Sequence, residues 1–377
     1  MSNLPDPLEA HRLLGGKIEI TAKDEIDSPE KLSIYYTPGV GEVSRHLAEH
    51  PEEVGIYTNT HNSVAIISDG SAVLGLGDIG PEGALPVMEG KSMLFKGFSG
   101  IDGIPLVLNT NSVDEIVATV KAVAPSFGGI NLEDIKAPEC FEVESRLKAE
   151  LDIPVFHDDQ HGTAVVTLAA LINSCRISGR KLTDTKIVIS GAGAAGIAIA
   201  KLLHKYAQPD IYVVDSKGVI SPNRDNLNSE KQRLLEFSNT SGFDGSLEQV
   251  LEGADVFIGV SKGDLIDASV VKTMNNDPIV FAMSNPTPEI MPDEAKAGGA
   301  AIVATGRSDF PNQINNALVF PGIFRGALDN NVSDITDQHK IAAAEAIAEL
   351  VDQPTPDQII PSIFDERLVP AIADKIV

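Results

Sequence analysis

The sequence predicts an α/β chain of two units: a smaller α/β unit over residues 1–155 and a Rossmann-type, doubly wound parallel sheet over residues 156–377. Three observations carry this expectation. The chain has 377 residues, more than one small core accommodates. Short apolar runs alternate with helical patterns through its second half, as strands covered on both faces by crossover helices do. Between the first of those runs and the following helix stand Gly191, Gly193 and Gly196 in G-x-G-x-x-G spacing.

Taken in order, the N-terminal MSNLPDPLEAHRLL has acidic residues and prolines where a signal peptide needs a basic patch and an apolar core, so a cytoplasmic chain is expected. In NSVAIISDGSAVLGLGDIG two apolar runs flank Asp69-Gly70, a hairpin signal, with the glycine-rich GLGDIG loop as the alternative. Lys91 and Lys96 then sit among apolar neighbours. A lysine in such a place either snorkels or, once desolvated, loses its proton easily enough to serve as a base. VDEIVATVKAVA is an amphipathic helix. INLEDIKAPECFE sets Glu133 and Asp134 after the strand-like FGGIN, and LDIPVFHDD reads as a short buried strand ending in Asp158 and Asp159, with a helix beginning within a few residues. Asp158 and Asp159 alone also fit a helix cap. Together, two strand ends offer four hard oxygen ligands of the kind that suits Mg2+ or Mn2+.

In the second half, KIVIS (186–190) is the strand before the glycine turn. Gly191 permits the turn, Gly193 lets a pyrophosphate approach the backbone, and Gly196 lets the helix pack closely, with Ala194 and Ala195 between them at the helix start. Asp215 ends the next strand, 19 residues beyond Gly196, where a carboxylate accepts hydrogen bonds from an adenosine ribose. That favours NAD by repelling a 2′-phosphate, whereas Lys217 and Lys231 offset the repulsion and allow NADP. ADVFIGVS, DPIVFAMSN and AAIVAT supply three further buried strands; Asn285 and Asn316 follow two of them, as ligand groups or as turn formers.

The balance of 54 acidic against 29 basic residues, a net charge of −25, repels phosphate backbones and anionic lipid heads, which argues against nucleic-acid and membrane partners. No run is long and apolar enough to cross a bilayer. The two cysteines, Cys140 and Cys175, have neither metal nor redox spacing and read as reduced packing residues.

YYTPGVGEV, SDGSAVLGLGDIGPEGALPVMEGKSMLF, NLEDIKAPECF, FHDDQHGTAVV, GAGAAG, SNPTPE and QINNALVFPGIF resemble, in this order, the motifs of malic enzymes over nearly the whole chain, and the length is similar to the short prokaryotic type without a phosphotransacetylase-like extension. The resemblance implies a homodimer whose N-terminal unit carries substrate and dimer contacts. It also implies oxidative decarboxylation of L-malate to pyruvate and CO2 with reduction of NAD or NADP. It assigns the metal to Glu133, Asp134 and Asp159, the catalytic pair to Tyr36 and Lys91 with Asp158 holding Lys91, and the cofactor to Gly191, Gly193, Ala194, Ala195, Gly196, Asp215 and Asn285, with Asn285, Asn316 and Lys91 also contacting substrate. On that reading Lys91, neutral through desolvation, takes the C2 hydroxyl proton and Tyr36 protonates C3. One position departs: Ala72 stands where many eukaryotic relatives carry an arginine for a substrate carboxylate, leaving the metal and Lys91 as its counter-charges. Rivals at the same site are a malolactic-type reaction and oxaloacetate decarboxylation. A nucleotide-sensing protein without catalysis is the rival from another class, and it has no need of Tyr36, Lys91 and three carboxylates together.

Overall fold

The computed structural model describes residues 6–377. Its ten strands form two sheets. The first contains β1 (Ser63–Ser68), β2 (Asp102–Val107), β3 (Gly129–Leu132) and β4 (Val155–His157), parallel throughout in the order β2-β1-β3-β4. The second contains β5 (Lys186–Ser190), β6 (Asp210–Asp215), β7 (Gly218–Val219), β8 (Val256–Gly259), β9 (Ile279–Ala282) and β10 (Ile302–Thr305), in the order β10-β9-β8-β5-β6-β7. Five of these are parallel, as their unbroken apolar runs lead one to expect. β7 departs, running antiparallel to β6 with Asp215 opposite Gly218, because the two residues between them are too few for a crossover. The chain leaves β5 for β6 on one side and returns to β8 on the other. The switch point therefore lies between β5 and β8, where doubly wound sheets open a ligand crevice.

The hairpin expected around Asp69-Gly70 does not form. β1 pairs only with β2 and β3, and the residues beyond Gly70 fold into the glycine loop instead, closed by a bridge between Val73 and Gly77. Gly70 has φ +72°, and a Cβ there would lie 2.2 Å from the Gly80 carbonyl oxygen, so backbone rather than a second strand closes the turn.

The helix Asp158–Ser178 joins the sheets. It starts directly from β4, at Asp158 itself rather than a few residues later, and stops at Gly179 in the left-handed conformation. It is buried along most of its length, so its sequence is apolar all round instead of striped. The later helix Phe320–Asp329 returns to the first sheet: Phe320 and Phe324 pack edge-on against Phe95 of the helix Gly80–Ser99, ring centres 4.6 and 5.4 Å away. One apolar core consequently runs through both sheets. Cys140 and Cys175 are buried and free. Among the described residues no helix is long and apolar enough to cross a membrane.

Candidate active site

A cavity of about 720 Å3 lies where the carboxyl ends of both sheets meet. Glu133 and Asp134 reach it from the end of β3 and Asp159 from the start of the helix that follows β4; Lys91 comes from the helix Gly80–Ser99. Ala195 of the glycine turn, Ser261 beyond β8, Asn285 beyond β9 and Asn316 form the facing wall. Gly75 of the glycine loop spans the two: a Cβ there would be 2.5 Å from the Asn285 carbonyl oxygen.

Asp158 and Asp159 are the first two residues of a helix, so their side chains diverge by about 100° around its axis. Asp158, fully buried, accepts a hydrogen bond from Lys91 Nζ at 2.5 Å. Asp159 turns to the other carboxylates and accepts from the Asp134 backbone N–H at 2.8 Å. Lys91, 7% exposed, also pairs with Glu133 and lies 4.5 Å from the centre of the Phe320 ring. Desolvation alone would make it neutral, as the sequence suggested. Burial lowers its pKa as that reading requires, but Asp158, Glu133 and Asp159 together push it above the ordinary lysine value, which favours the ammonium form while no cation sits among the carboxylates. Gly162, one turn after Asp158, makes this arrangement fit, because a Cβ there would meet Asp158 Oδ1 at 1.9 Å.

One oxygen each from Glu133, Asp134 and Asp159 lie within 4.8 Å of one another. Burial, Asp159 and Glu133 push the Asp134 carboxyl up to about 9, while burial also raises Glu133 and Asp159. Asp134 Oδ2 is buried without a hydrogen-bond partner, and Asp134 holds φ +53°. With Asp158, four carboxylates face one ammonium, and the missing positive charge fits a hard divalent cation. The residues present therefore suit Mg2+ or Mn2+.

At the glycine turn a Cβ on Gly196 would lie 1.7 Å from the Gly191 carbonyl oxygen and one on Gly191 2.7 Å from that of Val260, whereas Gly193 faces open space at the N-terminus of the helix Ala194–Ala207. The close-packing and open positions fall where a pyrophosphate site needs them. Asp215 lines an adjoining cavity of about 700 Å3 with Gly191 and Lys217. Its carboxylate is engaged: Arg224 binds both oxygens at 2.8 and 2.9 Å, Lys231 Nζ binds Oδ2 at 2.7 Å, and the Lys217 N–H binds Oδ1 at 2.9 Å. These four donors fill its lone pairs, so it is not a free ribose acceptor. Lys231 offsets its charge as expected, but Lys217 does so only through its backbone.

Tyr36 is not brought to the cavity. It caps the helix Pro29–Tyr35 and is 66% exposed, as Leu32, Ile34 and Tyr35 of that helix are exposed too. The cavity also contains residues that sequence reasoning missed, Lys17, His11 and Thr163 among them. Lys17 had no periodic or motif signal; Gly162 could have been found as the glycine one helical turn from Asp158.

Two family models match the chain: malic enzyme, N-terminal domain, over residues 15–148, and malic enzyme, NAD binding domain, over residues 160–376. The chain is 53% identical to the bifunctional malic/malolactic enzyme of Bacillus subtilis, covering 100% of this chain and 92% of that protein. It is 52% identical to the NAD-dependent malic enzyme of Geobacillus stearothermophilus, covering 97% and 76%. The crystal structure of the NAD-dependent malic enzyme from Thermotoga maritima superposes with a TM-score of 0.96 at 47% identity, covering 99% of each chain. A carboxylate-rich cavity facing a dinucleotide turn, together with these matches across both sheets, leaves one assignment: the chain belongs to the malic enzyme family.

Proposed function

We propose that the protein oxidatively decarboxylates L-malate to pyruvate and CO2 with reduction of NAD or NADP, in the cytoplasm, using residues 1–155 for most of the substrate and metal site and residues 156–377 for the dinucleotide, with Asp158 and Asp159 completing the first. The observation that carries this is the charge-deficient cluster of Glu133, Asp134 and Asp159 beside the Lys91–Asp158 pair, on a cavity whose far wall is the glycine turn. A divalent cation held by the three carboxylates would polarise the C2 oxygen and stabilise the enolate left when CO2 departs. Lys91 and Asp158 act as one acid–base unit. Lys91 delivers its proton to Asp158, whose pKa burial raises and whose Oδ1 has no partner, and is then free to take the proton of the C2 hydroxyl. Asn285 and Asn316 orient substrate and nicotinamide across the cavity. The test is NAD(P)H and pyruvate formation from malate, abolished by EDTA and restored by Mn2+ or Mg2+. Full turnover in excess chelator would overturn the reading.

The B. subtilis relative's name favours one further outcome at this site, conversion of malate to lactate without net redox change. Lactate accumulation with only catalytic amounts of cofactor would establish it.

Tyr36 remains the proton donor to C3 in this reading, but as a residue lent to a second copy. Its exposed apolar surroundings suit a homodimer contact, and the cavity of its own chain does not contain it. Mixing inactive Lys91→Met and Tyr36→Phe proteins, with subunit exchange, should restore about a quarter of parental activity, since half of the dimers are mixed and each has one intact site. No recovery despite exchange would place the acid elsewhere.

A further inference from the structure

We propose that Lys17 is the cation that binds the substrate's free carboxylate and so selects dicarboxylic over monocarboxylic 2-hydroxy acids; the inference rests on the malate reading above. The cavity presents a charge problem. Its floor carries Glu133, Asp134 and Asp159, the position next to the glycine loop is Ala72 rather than a basic residue, and Lys91 is committed to Asp158 and Glu133. Even with a divalent cation on the three carboxylates, the four carboxylates and Lys91 leave the site at about −1, so a dianion needs a further positive group to enter, above all in a protein of net charge −25.

Lys17 supplies it. It lines the same cavity and, among the described residues, forms no ion pair with any carboxylate. Its Nζ donates to the Pro86 carbonyl oxygen at 2.6 Å, and a Cβ on Gly90 would lie 3.6 Å from it, which sets the ammonium on the helix turn that leads into Lys91. An ammonium has three donors, so two stay available. The segment is pinned there as well: the Lys17 backbone N–H donates to Glu89 Oε2 at 3.1 Å. A cation held on the wall of the same cavity, with donors to spare and no carboxylate partner among the described residues, is placed to meet a second carboxylate that lactate-like substrates lack.

Two substitutions and a non-reacting ligand test this. Lys17→Met should raise KM for malate about ten- to hundredfold, the effect of losing one charge-assisted contact, with kcat within about threefold and cofactor KM unchanged. Lys17→Arg should keep most of the affinity. In calorimetry with Mn2+ present, Lys17→Met should weaken malonate by a similar factor and leave acetate unaltered. Unchanged malate KM and malonate binding in Lys17→Met would overturn the proposal. So would a joint rise of malate and cofactor KM with a lower melting temperature that arginine does not rescue, since that pattern makes Lys17 a structural peg on Pro86. Malonate binding needs no turnover, so inactivity of the parent protein toward malate would strike the functional reading alone.

Discussion

At the scale of single residues, Asp215 shows how neighbours change what a side chain can offer a ligand. Its position at the end of β6 was legible, because a strand–turn–helix–strand order fixes where the acidic residue falls. Arg224 was not, since it arrives from a loop with no periodicity to announce the pairing. With Arg224 and Lys231 both on one carboxylate, the local charge is net positive and the repulsion that favours NAD is cancelled. Burial raises the Asp215 pKa but these cations outweigh it and hold the group at about 2, so it is fully ionised at neutral pH. Arg224→Ala should unmask that anion and lower kcat/KM for NADP relative to NAD about ten- to hundredfold. Initial rates with both cofactors check it; an unchanged ratio would show that the arginine does not act on the 2′ position.

At the scale of elements, the helix Asp158–Ser178 positions the chemistry through its first turn. Gly162→Ala isolates that function. Alanine favours a helix interior by about 1 kcal/mol over glycine, so on propensity alone the substitution stabilises. Here its Cβ would collide with Asp158 Oδ1 and push the carboxylate away from Lys91. The expected outcome is a loss of malate oxidation of about two to four orders of magnitude with an intact helical signal by circular dichroism, the usual range for losing an acid–base group. Parental kcat would show that Asp158 does not need its present rotamer. The elements themselves were unevenly legible. β5, β6, β8, β9 and β10 were read directly, because strands buried on both faces are continuous apolar runs. β7 was invisible at two residues, and Asp69-Gly70 imitated a hairpin because the Gly70–Gly80 backbone contact is tertiary. Tyr36 was placed in the site by resemblance alone, and no local pattern tells whether a side chain serves its own chain or another.

At the scale of the whole molecule, concentrating carboxylates at the seam of a chain that is already strongly acidic makes stability depend on pH in an uncommon direction. Asp134, with an ordinary value of 3.8, is raised to about 9 by burial and its acidic neighbours. A group raised on folding contributes stability that is present below its unfolded pKa and lost as pH rises through the folded one. Metal-free protein should therefore melt higher at pH 7 than at pH 9, a window that stays above the ordinary histidine pKa. Saturating Mn2+ should flatten or invert that slope, because the cation replaces the protons. Melting curves with EDTA and with Mn2+ at both pH values decide it, and identical slopes would remove the carboxylate cluster as the cause. The cavity has a last consequence, which follows from its walls belonging to two different sheets. Cation and dinucleotide each fill one side of a shared space, so their occupancies form a closed thermodynamic cycle. By whatever factor bound Mn2+ tightens or loosens the dinucleotide, the dinucleotide must change the affinity for Mn2+ by the same factor, and two separate titrations must return one number.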